Sequence, residues 1–477
     1  MSSIVGRRWA DWWTTTAEDW RRFFDPRFRA FHRLALLQGL MVVVALDVVV
    51  PFAIEIGCPP ALTALLGALP IAGGMAQLAV PRLLARTDGN LRGLTVLAAA
   101  IGEARGFLYG LVALGIVLGL LGGVPALVVL AAIIAVAGVA SAVAGANLLA
   151  WYSAVLPEED RRLVVPRMTV LVMAVSALVL FPLGIGLDLL VERFGLVVYA
   201  LLFGMAGLVG IGEVAMVRRL PPPGRVLVPR RAMAGEAPET PAERQFLQVS
   251  LLNSLGMGLT PFWSVYAMSI LGLSAGFALT MSAVSQVAMV VAAAVGGGLL
   301  MRGSSARMLR ASIGIRIVAV VVPILAMPGT MLAPLLMYVS AALASIGFAL
   351  GQLATNERLF RLVRGPTVIR QFGRLLFRNS AAMTTGQVAS GVVLAIGAPL
   401  GYPAFAALFG ASALVRIAAY RAAGDLPRSR ESGESARPVA PVQVAPVQGA
   451  PAQVAPVQVA PVQVTSSGGP SVAAEAG

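Results

Sequence analysis

Lysine is absent from this chain of 477 residues, and cysteine and histidine occur once each, as Cys58 and His32. Without lysine there is no Gly-rich phosphate loop ending in Gly-Lys-Ser/Thr, so the chain carries no ATP motor of that kind. Any work must be drawn from a gradient or a partner. A lone cysteine excludes an intrachain disulfide, and a lone histidine leaves no His cluster for a metal. Neither metal nor cofactor is expected, and no His pair or Cys-His arrangement recommends an enzyme. Charge is scarce as well. Only 12% of residues are charged against 58% hydrophobic, where soluble domains average about a quarter charged.

The charge that is present is one-sided. All 36 cations are arginines, facing 22 acidic residues for a net +14. Such basicity could recruit nucleic acid, but the arginines sit in short connections between apolar runs, where headgroups and topology account for them. No nucleic-acid partner is expected; the lipid bilayer is.

Apolar runs long enough to span a bilayer lie near residues 34–56, 61–81, 93–121, 125–151, 168–190 and 195–217, then 246–271, 275–301, 309–327, 331–356, 375–398 and 402–422. The first run begins after Arg33 and lacks a small-residue cleavage site, so it reads as a span and not a removable leader. Threading these runs places 33 arginines on one side, counting five in the C-terminal end. Arg193 alone lies opposite, and Arg105 and Arg316 fall within spans. The positive-inside rule then gives twelve spans with both termini cytoplasmic.

The halves echo each other. Leu36-Leu37-Gln38-Gly39-Leu40 returns as Leu251-Leu252-Asn253-Ser254-Leu255, and Asn147, Pro157 and Arg161 return in order as Asn356, Pro366 and Arg370. Duplicated halves of six spans lie parallel to each other. The expected organisation is an amphipathic N-terminal segment (1–33), a six-helix bundle (34–218), a Pro-rich cytoplasmic linker (219–245), a second six-helix bundle (246–422) and a tail (423–477). In the first segment Trp9, Trp12, Trp13, Trp20, Phe23 and Phe24 recur at helical spacing and suit the headgroup layer. Asp25-Pro26 should stop that helix. The tail repeats Val-Ala-Pro-Val-Gln, a composition for extended, disordered chain or for docking a protein partner.

Twelve spans, a central loop and parallel repeats resemble the major facilitator superfamily. That family follows its second span with Gly-x-x-x-Asp-Arg-x-Gly-Arg-Arg. Here Arg86, Gly89 and Arg92 match approximately, with Gly297, Arg302 and Arg307 in the second half, while Ala85 and Met301 stand at the acidic positions. After the fourth span, Trp151 to Arg161 with Pro157 and Glu158, followed by Arg167, resembles a Trp-x-x-Asp-Leu-Val-Pro-Glu-x-x-Arg segment of bacterial members. Ala154 replaces its acid. The resemblance implies an all-α membrane protein of twelve helices in two parallel-repeat bundles, in a bacterial cytoplasmic (inner) membrane. These loop arginines are expected to pair with acids or helix ends of the opposing bundle, with Glu158, Glu159 and Asp160 as partners for Arg86, Arg92 or the second-half cluster; Pro366 and Arg370 belong to the same set by the repeat.

Charges in hydrocarbon cost at least about 2.5–3.5 kcal/mol and are functional hypotheses by default. Asp47 lies roughly 21 Å along a helix from Arg33, and Glu103 and Arg105 roughly 16–20 Å from Arg92. Two positions apart, Glu103 and Arg105 should face away from each other, so Asp47–Arg105 is the expected pair. Asp47 and Glu103 are then candidates for loading and releasing a proton, and Arg316 for holding an anionic cargo group. Glu213, beside Arg218, reads as a structural residue reaching the inner surface. In the seventh span Gly256, Gly258 and Pro261 interrupt the run before Phe262, Trp263 and Tyr266; with Asn253, Gln286 and Gln352 these make a polar-aromatic cavity wall. The function expected is secondary active transport of a small solute by alternating access, with possible proton coupling. The alternative is a non-transporting scaffold, which has little reason to keep three deep charges.

Overall fold

The computed structural model describes residues 17–43, 47–223, 241–258, 262–302, 304–362 and 368–426. Trp9, Trp12 and Trp13, most of the linker and the Pro-Val-Gln repeats lie outside them. The regular elements among the described residues are all helices. Ten are long and apolar enough to cross a membrane. The first and seventh apolar runs contain shorter helices, Arg29–Val42 with Val49–Glu55, and Pro241–Met257 with Phe262–Ser269. Leu178, Leu201, Ile396 and Leu414 each stand at least 65% exposed on the helices' outer faces. Lipid is the solvent for such a surface, since water would penalise it.

Several interruptions follow from proline chemistry. Pro51 lacks the N–H that would bond the Asp47 carbonyl, and just before it Val48 N bonds Val43 O at 3.3 Å, a π turn. Pro81 likewise cannot bond Gln77; the second span passes from Pro60–Gly73 through a 3₁₀ segment, Gly74–Ala79, before Val80–Arg86. The third span is two helices, Leu91–Glu103 and Arg105–Val117, joined at Ala104.

The fourth, fifth and sixth spans are Gly123–Val155, Glu158–Phe194 and Val197–Arg219, and the eighth to twelfth are Ala275–Arg302, Ser305–Leu325, Ala333–Leu362, Val368–Gly397 and Tyr402–Gly424. Helices in lipid associate through small residues that let backbones touch. A Cβ on Gly106 would lie 2.5 Å from Gly207 N, so the third and sixth spans meet backbone to backbone there. The two halves join through the fifth span against the eighth and the second against the eleventh. At the first joint Gly184 packs on Gly276, and Asp188 Oδ1 accepts from Gly276 N at 2.8 Å at the start of the eighth span.

The N-terminal helix covers residues 17–23 and ends where Asp25 Oδ1 accepts from Arg27 N, as Asp25-Pro26 led one to expect. Its Phe23 is fully buried in the core of the first bundle while Phe24 is 55% exposed. The segment therefore docks on protein with one aromatic and leaves the other outside.

Candidate functional site

Three polar centres lie within the apolar body. The first joins the halves. Asp47, in the first span, faces the Ser282 side chain of the eighth. Its Oδ2 is enclosed without a partner. Gln286 stands one turn beyond Ser282 on the same helix face, and its Oε1 is also enclosed and unpartnered.

The second centre is inside the first bundle. Arg105 Nη2 lies 3.6 Å from Glu103 Oε1, and no ion pair links Arg105 to Asp47 among the described residues. The expected Asp47–Arg105 pair is thus replaced by Glu103–Arg105. The reason is side-chain reach: Ala104 keeps helical backbone (φ −57°, ψ −20°), and the long arginine bends round the helix to bring its Nη2 to the Glu103 carboxylate. Arg105 Nη1 also contacts Ser141 Oγ at 3.4 Å. Glu213 is 7% exposed, accepts from Gln38 Nε2 at 3.2 Å and feels the charges of Glu103 and Arg105. It belongs to this centre and does not reach out toward Arg218. A cavity of about 50 Å³ beside it is lined by Arg105, Tyr109, Thr63 and Pro70, room for one or two waters.

The third centre is inside the second bundle. Arg316, 4% exposed, donates from Nη1 to Asn253 Oδ1 at 3.1 Å and contacts Met257 Sδ at 3.0 Å, just before the break in the seventh span. Arg416, 2% exposed, donates to Arg316 O at 2.9 Å and Gly256 O at 3.1 Å. Counting arginines assigned Arg416 to the C-terminal end. The structure buries it instead, roughly 12 Å in from Gly424 along the helix. Its five-residue offset from Arg421 was the available signal.

The cavity wall forms only in part. The helix Pro241–Met257 ends before Gly258, Pro261 lies outside the described residues, and Gly258 serves close packing: a Cβ there would meet Met383 O at 2.7 Å. Trp263 is 7% exposed with Nε1 unpartnered. Tyr266 is fully buried among Phe405 and Phe409, its hydroxyl on Ala326 O at 2.5 Å; it packs the core. Gln352 is exposed.

No family model matches the sequence, and no curated protein matches it. Solved structures do match. The nucleoside transporter NupG aligns with a TM-score of 0.57 at 13% identity, over 83% of this chain and 98% of that one. The D-xylose-proton symporter gives 0.57 at 12% identity, over 81% and 96%. A bacterial homologue of the iron transporter ferroportin, outward-facing with soaked iron, gives 0.54 at 15% identity, over 83% and 98%. The chain has the major facilitator fold.

Within that fold several of the described loop-motif residues find partners inside the first half and at the start of the linker. Asp160 pairs with Arg27 at 3.0 Å, Arg167 with Asp19 at 2.5 Å, and Arg92 Nη2 donates to Arg218 O at 2.6 Å. Trp151 Nε1 donates to Pro221 O at 2.7 Å. All these partners lie in the first half, so the Trp-to-Arg segment gathers the N-terminal helix and the linker's start onto its own bundle. None of these ion pairs joins the segment to the opposing bundle. Arg86 and Arg307 are exposed, Arg161 is half-buried, and Gly89 takes a φ of 74° that favours glycine. Pro366 lies outside the described residues; Glu158, Phe262, Gly297, Arg302 and Arg370 are described in backbone only.

Proposed function

We propose that the protein is a secondary transporter that moves a small solute by alternating access, coupled to protons. The arginine-rich face is assigned to the cytoplasm of a bacterial cell. One observation carries the coupling: Asp47, in the first span of one half, faces Ser282 of the other, and its Oδ2 is enclosed without a partner. Rocking of the halves opens and closes that contact. Protonated, the carboxyl lies in the closed joint without an uncompensated charge; once water reaches it the proton leaves. Glu103 supplies a second carboxylate oxygen without a partner, inside the moving bundle. The solved structures of this fold with transport names support the reading, as does the retention of deep charges that a passive scaffold would not need.

The test is uptake into proteoliposomes with and without an imposed pH gradient. Gradient-driven uptake should fall at least about tenfold in Asp47→Asn and Glu103→Gln, the usual scale for losing an acid–base group, while exchange without a gradient survives. Retention of full gradient-driven uptake in Asp47→Asn would remove the assignment.

A further inference from the structure

The second and third centres occupy corresponding places in the repeat. Gln38 and Asn253 are the same position of the matched segments Leu-Leu-Gln-Gly-Leu and Leu-Leu-Asn-Ser-Leu. Gln38 bonds Glu213 of the sixth span, near Glu103–Arg105 of the third. Asn253 bonds Arg316 of the ninth, which in turn is bound through its carbonyl by Arg416 of the twelfth. Same architecture, opposite charge: two carboxylates and one guanidinium in the first bundle, two guanidiniums and no carboxylate in the second.

The third centre is electrically incomplete. Between residues 246 and 424 the sequence holds a single acidic residue, Glu357, roughly 9 Å along the tenth span beyond Gly351. No described carboxylate lies within ion-pairing distance of Arg316 or Arg416. The charge nearest Arg416 is Arg316, which repels it. Carbonyls, an amide and a thioether supply hydrogen bonds but no counter-charge, and Nε of both arginines is enclosed without a partner. Glycine at 347 and 351 lets the Arg316 side chain lie against the tenth span; a Cβ at 351 would sit 2.9 Å from Nη2. Two unneutralised guanidiniums in a low-dielectric interior need an anion, and planar guanidinium suits carboxylate and phosphate oxygens.

We propose that Arg316 and Arg416 form an oxyanion-binding centre that receives the carboxylate or phosphate group of the carried solute. The identity of that anion as cargo rests on the transport reading; its binding does not.

Thermal unfolding of the full-length protein in detergent tests this with inorganic phosphate and two matched pairs: glucose 6-phosphate against glucose, and benzoate against benzyl alcohol. Chloride holds ionic strength constant. Binding predicts a saturable rise in midpoint with at least one oxyanion and none with its neutral counterpart. Arg316→Gln and Arg416→Gln should weaken it about tenfold or more, the scale of one charge-assisted hydrogen bond, with partial rescue in Arg316→Lys. If no oxyanion outperforms its neutral counterpart in the natural protein, the centre is structural and the proposal fails, even where a variant does not fold. Stabilisation by phosphatidylglycerol alone would assign the anion to a lipid headgroup and overturn the cargo role. Oxyanion binding without uptake of that solute into proteoliposomes would sink the transport reading and leave the anion centre standing.

Discussion

Single residues decide how closely this molecule's helices approach, and glycine at 73 is the sharpest case. A Cβ there would collide with the backbone of Gly138 in the fourth span, where no side chain can move aside. Gly145, on the same fourth span, has nothing within 4 Å. Gly73→Ala should therefore cost about 1–3 kcal/mol or more of unfolding free energy, and Gly145→Ala should be neutral or slightly stabilising; denaturant unfolding in detergent compares them. Residue chemistry was also where the sequence was read least well. The depth of Glu103 and Arg105 is legible from distance along a helix, but their pairing is not, because a helical wheel gives only the Cβ directions and ignores how far an arginine side chain reaches. Arg416 was missed because arginines near a chain end are ordinarily topogenic. Glu213 was read by its nearness to Arg218, whereas its burial against Gln38 and Glu103 depends on which way the sixth span faces.

At the scale of elements, the crossings were legible because apolar length is a strong signal in a membrane protein. The breaks were legible only where glycine and proline cluster. Gly258 and Pro261 marked the seventh span; the effect of Pro51 on the Asp47 carbonyl could have been read by the same four-residue rule but requires knowing that the first span is helical there. The joint between the fifth and eighth spans left no such mark, since Gly184 and Gly276 are ordinary small residues until the two helices are brought together. There Asp188 accepts from the N–H of Gly276, in the first turn of the eighth span, and adds charge complementary to the helix dipole. Asp188→Ala removes both contributions, together worth about 1–2 kcal/mol, and should shift the conformational equilibrium about five- to thirtyfold toward separation at this end. Spin labels at Glu192→Cys and Ser274→Cys, exposed on either side of the joint, in a Cys58→Ser background, should report a longer-distance population in the variant. An unchanged distance distribution would show that the glycine packing alone holds the joint.

For the whole molecule, the opposed charge of the two bundles bears on energetics as well as recognition. On the proposed reading, a proton-binding joint at Asp47 and an oxyanion centre at Arg316 and Arg416 would carry a proton together with a monoanion and so move no net charge. A carrier of the anion alone, or of a neutral solute with a proton, would move one charge per cycle. Moving one charge against 100 mV is worth about 2.3 kcal/mol, close to fiftyfold in accumulation. These cases separate in proteoliposomes. With an oxyanion cargo found by the unfolding screen, a valinomycin-imposed potassium potential of about 100 mV of either sign should change steady-state accumulation less than about twofold. Nigericin, which collapses the pH gradient, should abolish it. A strong response to the potential under clamped pH would show that the two centres do not load as a matched pair, and that the opposite charges of the repeats were selected separately, one for coupling and one for structure.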